Sequence, residues 1–248
     1  MPAAGQGAAP AIEARGLAKR YGPVAALDSI DLTVPAGESV VLFGPNGAGK
    51  STLLRLLATL LRPTGGRLRL FGEDAKGGDT APLRRRIGFL SHHTFLYEHL
   101  TGRENLLFYA RLYDLPDPER AAREALGAAV LSHRQDDRVS SYSRGMQQRL
   151  AIARALLHGP DLLLLDEPFT GLDRDSSARL EGRLREERRA GRTCVLATHD
   201  TGPGLRVADR VLALTDGRLV LDTQARGLDA ARLDALLSAA AGSAPGRS

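Results

Sequence analysis

The stretch SVVLFGPNGAGKSTLLRLLATLL, Ser39 to Leu61, decides the fold. Ser39–Phe43 is a short apolar run, partly β-branched, which predicts a strand. Ser51 to Leu61 carries leucines at helical spacing and predicts a helix. Between them, Gly44-Pro45-Asn46-Gly47-Ala48-Gly49-Lys50-Ser51-Thr52 matches G-x-x-x-x-G-K-[ST], a loop that wraps phosphate groups when a strand precedes it and a helix follows. Gly47 and Gly49 let the backbone turn its N–H groups inward with no Cβ in the way. The helix N-terminus adds positive potential for a β-phosphate. Lys50 is expected to reach the β- and γ-phosphates, and Ser51 to ligate Mg²⁺.

Working outward, residues 11–34 alternate apolar and polar in short runs, which predicts early β-strands. Gly65 to Phe71 reads as another strand and Gly72 to Ala81 as a polar loop. Ala81 to Leu157 reads as mostly helical, with turns near Leu115-Pro116-Asp117 and at Ser140 to Ser143. Asp161 to Leu165 and Thr193 to Ala197 are apolar runs of the kind found in buried parallel strands. Strands alternating with helices predict an α/β fold: a largely parallel sheet covered by helices on both faces. From Gly227 the chain predicts one short amphipathic helix and a frayed polar end.

Composition removes several function classes. With 43% hydrophobic residues the chain can build a sizeable core, yet no stretch approaches the length of a membrane span. Met1 to Pro10 has neither the basic nor the apolar region of a secretory signal. The single cysteine, Cys194, rules out an intrachain disulfide. The net charge of +5 comes from 31 arginines and three lysines, without dense basic blocks interleaved with aromatics, so no nucleic-acid partner is expected.

Leu162 to Pro168, LLLLDEP, carries Asp166 and Glu167 to the C-terminal end of a buried strand, the edge where open parallel sheets bind ligands. Asp166 is expected to hold Mg²⁺, directly or through water. Glu167 is expected to act on an attacking water as general base. Thr198-His199-Asp200 follows the next apolar strand, and His199 is read as contacting a γ-phosphate and orienting Glu167 and the water.

Ser140 to Ala155 reads SSYSRGMQQRLAIARA. Tyr142-Ser143-Arg144-Gly145-Met146, followed by Gln147-Gln148-Arg149, resembles the signature motif of ABC-transporter ATPases. Thr170-Gly171-Leu172-Asp173 resembles that family's D-loop, and Tyr21 fits the aromatic that stacks on adenine. The resemblance covers about residues 12–220. It implies a P-loop NTPase core with a mixed, largely parallel sheet, an N-terminal antiparallel β-subdomain, and a helical signature subdomain at about 90–157. Residues 1–11 would form a disordered N-terminus and 221–248 a short helix and tail.

The resemblance further implies ATP and Mg²⁺ as cofactors and ATP hydrolysis as the reaction. Partners would be a membrane-embedded permease and a second copy of the chain in a head-to-tail dimer. There ATP lies between one copy's phosphate loop and the other's Ser143, Gly145 and Asp173, on the cytoplasmic face of the membrane. Ser143 and Gly145 also stand on their own physics, since a hydroxyl and free N–H groups at a helix start make an anion site. Arg144 and Met146 depart from the family's commoner Gly and Gln.

In the family's Q-loop pattern, Ile87-Gly88-Phe89-Leu90-Ser91 puts His92 where Gln is usual. A zinc site built from His92, His93 and His99 fits no standard spacing and lacks a nearby cysteine. The aromatic-rich stretch Thr94 to Tyr113 matches the region that faces the membrane subunit. With Ser143-Arg144-Gly145-Met146-Gln147-Gln148-Arg149 and His92, it is similar to the ATP-binding subunit of the haem exporter of cytochrome c biogenesis. Haem export is therefore the first cargo expected, a multidrug or other small-molecule exporter the second. A soluble ABC ATPase of translation or repair, or a phosphate-loop kinase, fits the motif set less well.

Overall fold

The computed structural model describes residues 9–75, 79–91 and 93–242. Its strands are β1 (Ile12–Tyr21), β2 (Val24–Val34), β3 (Ser39–Phe43), β4 (Gly65–Leu70), β5 (Glu73–Asp74), β6 (Ile87–Leu90), β7 (Leu162–Asp166), β8 (Thr193–Ala197), β9 (Arg210–Thr215) and β10 (Arg218–Gln224). Its helices are α1 (Lys50–Leu57), α2 (Ala81–Arg84), α3 (Gly102–Leu112), α4 (Pro118–Ala128), α5 (Arg144–Leu156), α6 (Arg174–Arg189), α7 (Thr201–Val207) and α8 (Ala230–Gly242).

Two sheets form. The first, in order β2-β1-β4-β5, is antiparallel. The second runs β10-β9-β3-β8-β7-β6; its neighbours from β9 to β6 pair in parallel and β10 joins antiparallel. This is the mixed α/β cassette architecture the motifs imply. The parallel strands show why their runs are continuously apolar. Side chains alternate faces along a strand, and both faces here are buried. Val40 and Leu42 of β3, with Leu162 and Leu164 of β7, enter the core shared with α1 and the antiparallel sheet. Val41, Phe43, Leu163 and Leu165 enter a second core under α5, α6 and α7. A third core, around Leu106, Leu126, Leu131, Tyr142 and Leu150, holds the helices between Gly102 and Leu156 together.

Several expectations need correction. α1 stops at Leu57 rather than Leu61, because Thr59 turns left-handed at φ 57° and breaks the helical path. The stretch read as mostly helical from Ala81 contains β6, an edge strand of the main sheet. Gly88 inside it lies under α5 so closely that a Cβ would stand 2.3 Å from the Ala155 carbonyl oxygen, so the run lacks the β-branched pattern of a strand. The loop from Gly72 holds the short β5. Beyond Ala197 the chain adds β9 and β10, and residue 220 falls within β10.

Of the N-terminus expected to be disordered, residues 1–8 lie outside the described residues. Ala11 is fully buried, its carbonyl accepting from the Phe71 N–H at 3.1 Å. The expected C-terminal helix is α8, anchored by the fully buried Leu233; the polar end from 243 onward lies outside the described residues. No helix among them is long and apolar enough to cross a membrane.

Candidate functional site

The order β3-β8-β7 brings three chemically active strand ends together. Leu42 and Asp166 each lie opposite Ala197, and the Thr198 N–H donates to the Leu42 carbonyl at 3.2 Å. The phosphate loop, the Asp166-Glu167 pair and the Thr198-His199 pair therefore share one edge.

The loop's conformation demands glycine at defined points. A Cβ at Gly44 would sit 2.2 Å from the Leu214 carbonyl oxygen, and one at Gly49 2.5 Å from that of Ala26. Gly49 caps α1 at φ 105°, and no side chain caps the exposed N–H groups of that helix. By contrast α3, α4, α5, α6 and α7 are each capped by their own Thr101, Asp117, Ser143, Asp173 or Asp200. α1 thus keeps its first-turn donors for an external anion, with no acid in that turn to repel it. Lys50 is buried, and its Nζ donates to the carbonyls of Gly44 at 2.6 Å and Pro45 at 3.1 Å. Burial pulls its pKa down, and the nearby charges of Glu167 and Asp166 oppose that pull.

Asp166 is 3% exposed and its Oδ2 is buried without a hydrogen-bond partner. An ionised oxygen left unsatisfied in a protein interior is costly unless a cation or water meets it. With the Ser51 hydroxyl in the first turn of α1, the donor set is hard oxygen, which suits Mg²⁺ completed by water and phosphate oxygens. The described residues contain no group of three or more His, Cys, Asp or Glu that could hold a metal without such a ligand.

Glu167 adopts a left-handed φ of 52°, which carries its side chain out of the strand's alternation. Its N–H donates to the Ala197 carbonyl at 2.8 Å. Its Oε2 receives the Thr198 hydroxyl at 3.2 Å and faces His199 Nδ1 at 2.9 Å. His199 is therefore beside Glu167. Thr198 was not singled out in the sequence; a threonine beside a histidine carries no signal until burial is known.

Ser143 is exposed at the start of α5, with its hydroxyl accepting from the Met146 N–H at 3.3 Å. The helix begins at Arg144, directly after the turn. The Arg144 stem lies along Gly171, where a Cβ would be 3.4 Å from its Cγ, and a Cβ on Gly145 would be 3.1 Å from the Gly171 carbonyl oxygen. Met146 turns inward against the helical core, which gives it a packing role in place of a polar one. Asp173 caps α6, accepting from the Ser176 N–H at 2.7 Å; that bond holds its carboxyl below the usual range. These signature and D-loop residues form a surface of their own, joined at Gly171. Tyr21 is 47% exposed at the β1–β2 hairpin, five residues before the Ala26 that abuts Gly49.

A family model described as ABC transporter matches residues 27–170. The chain belongs to the ABC transporter family, as an ATP-binding cassette. It is 41% identical over 214 residues to the daunorubicin/doxorubicin resistance ATP-binding protein of Streptomyces peucetius, covering 86% of this chain and 64% of that protein. It is 42% identical to the macrolide export ATP-binding/permease protein of Nitrosomonas europaea, over 86% of this chain and 34% of that one. The chain thus spans less than two thirds of both relatives. Among solved structures, a dimeric ATP-binding cassette in a post-hydrolysis state with ADP and Pi superposes with a TM-score of 0.81 at 28% identity, over 88% of this chain and all of that one. An ATP-binding subunit of an ABC transporter superposes at 0.83 and 30% identity, over 92% and 98%.

His92 lies outside the described residues, and His99 packs edge-on to Tyr97 at 6.1 Å between ring centres. Phe95, Tyr97, Phe108 and Leu112 are each more than 40% exposed and lie close together, with Tyr97 and Phe108 centred 5.1 Å apart. Beneath them Arg154, only 5% exposed, donates to the Phe89 carbonyl at 2.6 Å and lies over the Phe95 and Tyr109 rings.

Proposed function

We propose that the chain is the ATP-binding and ATP-hydrolysing subunit of an ABC transporter, acting peripherally at the cytoplasmic face of the membrane as a head-to-tail dimer bound to a permease. The observation that carries this reading is the meeting of a buried lysine loop, an uncapped helix start and an oriented glutamate on one sheet edge.

The β- and γ-phosphates take loop N–H groups between Asn46 and Thr52 and the Lys50 ammonium, which exchanges its carbonyl partners for phosphate oxygens. Ser51 and Asp166 would hold Mg²⁺, which when bound neutralises charge developing on the phosphates. Among the described residues Glu167 Oε1 accepts no hydrogen bond, which leaves it to take the proton as water attacks the γ-phosphorus; ADP leaves with the bridging oxygen. His199 holds the other carboxylate oxygen. Ser143, Gly145 and Asp173 of the second copy close over the nucleotide.

Tyr21 offers adenine an open ring face, with Lys19 Nζ 5.2 Å from the ring centre. Base–aromatic stacking is worth about 1–3 kcal/mol. Tyr21→Ala should therefore raise the Kd for ATP roughly tenfold, whereas Tyr21→Phe should hold it near the original value, as read by nucleotide titration. Equal affinity in the alanine variant would remove Tyr21 from the site.

The permease would dock on the aromatic face over Arg154, which is apolar and open. Two cargoes divide the remaining reading. Haem, delivered for cytochrome c maturation, rests on the resemblance of His92 and of residues 143–149 and 108–113. A drug-like small molecule is favoured by the 41% identity to the daunorubicin/doxorubicin resistance protein. Deleting the gene tests both. Loss of covalent haem from c-type cytochromes supports the first; normal haem attachment with raised anthracycline sensitivity supports the second.

A further inference from the structure

The hydroxyl of Thr198 lies where the chemistry of Glu167 is set. Thr198 is fully buried, between the end of β8 and the start of α7. Its Oγ1 accepts the Asp200 N–H at 3.0 Å. That bond occupies the acceptor side of the hydroxyl, so its single proton is directed to Glu167 Oε2, 3.2 Å away. His199 Nδ1 meets the same oxygen. Two neighbours therefore hold one carboxylate oxygen, and the other is turned free.

We infer that Thr198 is a positioning residue for ATP hydrolysis: its buried hydroxyl holds Oε2 of Glu167 so that Oε1 faces the attacking water. This rests on the reading of Glu167 as general base. The His199 side chain is 72% exposed, whereas Thr198 is fully buried. The rigid half of the clamp is thus the hydroxyl, and the imidazole is the half that can respond to nucleotide.

The two ends of the Thr198 side chain do different work, which makes the inference separable from packing. The methyl packs beside Gly204 of α7, where a Cβ would stand 3.1 Å away. Thr198→Val keeps that packing and loses the hydroxyl. Thr198→Ser keeps the hydroxyl and loses the methyl. If the hydroxyl positions Glu167, the valine variant loses about ten- to a hundredfold in kcat, the span expected for one hydrogen bond to a charged group, with KM for ATP within about twofold. The serine variant then stays near the original rate.

If Thr198 only packs, the order reverses, with serine impaired and valine active, and the inference is overturned. A double variant, Glu167→Gln with Thr198→Val, closes the test. Acting through Glu167, the second change adds no further loss to the first. An additional tenfold loss would show that Thr198 acts elsewhere and would overturn the inference. Glu167→Gln alone separates the two levels. If it retains the original rate, the general-base reading itself fails. If it is inactive while Thr198→Val is fully active, that reading stands and only the Thr198 inference falls.

Discussion

Glu167→Gln binds ATP and fails to turn it over. Gln is close to Glu in size and its side-chain oxygen can still accept from Thr198, so the clamp at the end of β8 is kept. What is lost is the basic oxygen. General-base catalysis contributes about 10²- to 10⁴-fold, so phosphate release should fall by that much with little change in ATP affinity. In the proposed dimer the persisting γ-phosphate would continue to bridge two copies of the chain. The variant incubated with ATP and Mg²⁺ should elute as a dimer in size-exclusion chromatography, and without nucleotide as a monomer. Phosphate release at the original rate would remove Glu167 from the reaction.

Lys50→Ala has the second large effect, on binding. In the structure the Lys50 ammonium is buried and held by two backbone carbonyls, with Asp166 and Glu167 supporting its charge. Phosphate oxygens offer the same ammonium charged partners, and each such bond contributes about 1.5–3 kcal/mol. Losing two predicts at least ~100-fold weaker ATP binding by calorimetry, and no measurable turnover. Alanine is a good helix former, so α1 should persist and the thermal transition should stay within a few degrees. Unchanged affinity in a folded variant would refute the phosphate-loop reading.

The parts legible in the sequence are those whose chemistry is local. The loop from Gly44 to Thr52 announces itself because its glycines answer to close backbone approaches by Leu214 and Ala26. The leucines of β7 announce a strand because both of its faces are buried. What escaped was set by tertiary contact. β6 holds a glycine because α5 crosses it, so its short run does not look like a strand. β9 and β10 form a hairpin whose outer strand is only partly buried, with a weak apolar pattern. Thr198 is an ordinary threonine until the fold buries it against Glu167. Met146 departs from the usual signature residue, and only the packing of the helical core shows that it turns inward.

The contact at Gly171 has a consequence for timing. In one chain, the carbonyl of Gly171 faces Gly145 closely enough that a Cβ there would stand 3.1 Å away, and the stem of Arg144 lies along the same glycine. Ser143 caps the helix that contains Gly145, and Asp173 caps the one that follows Gly171. In the proposed dimer these groups address the partner's nucleotide, while Gln148 of the same helix donates to the Pro168 carbonyl, next to the chain's own Glu167. In that dimer a shift at one nucleotide would pass, through the Gly171 and Pro168 backbone, towards the base proposed to work on the other. Such a pair of sites would keep a shared clock, each copy registering the ATP spent by the other.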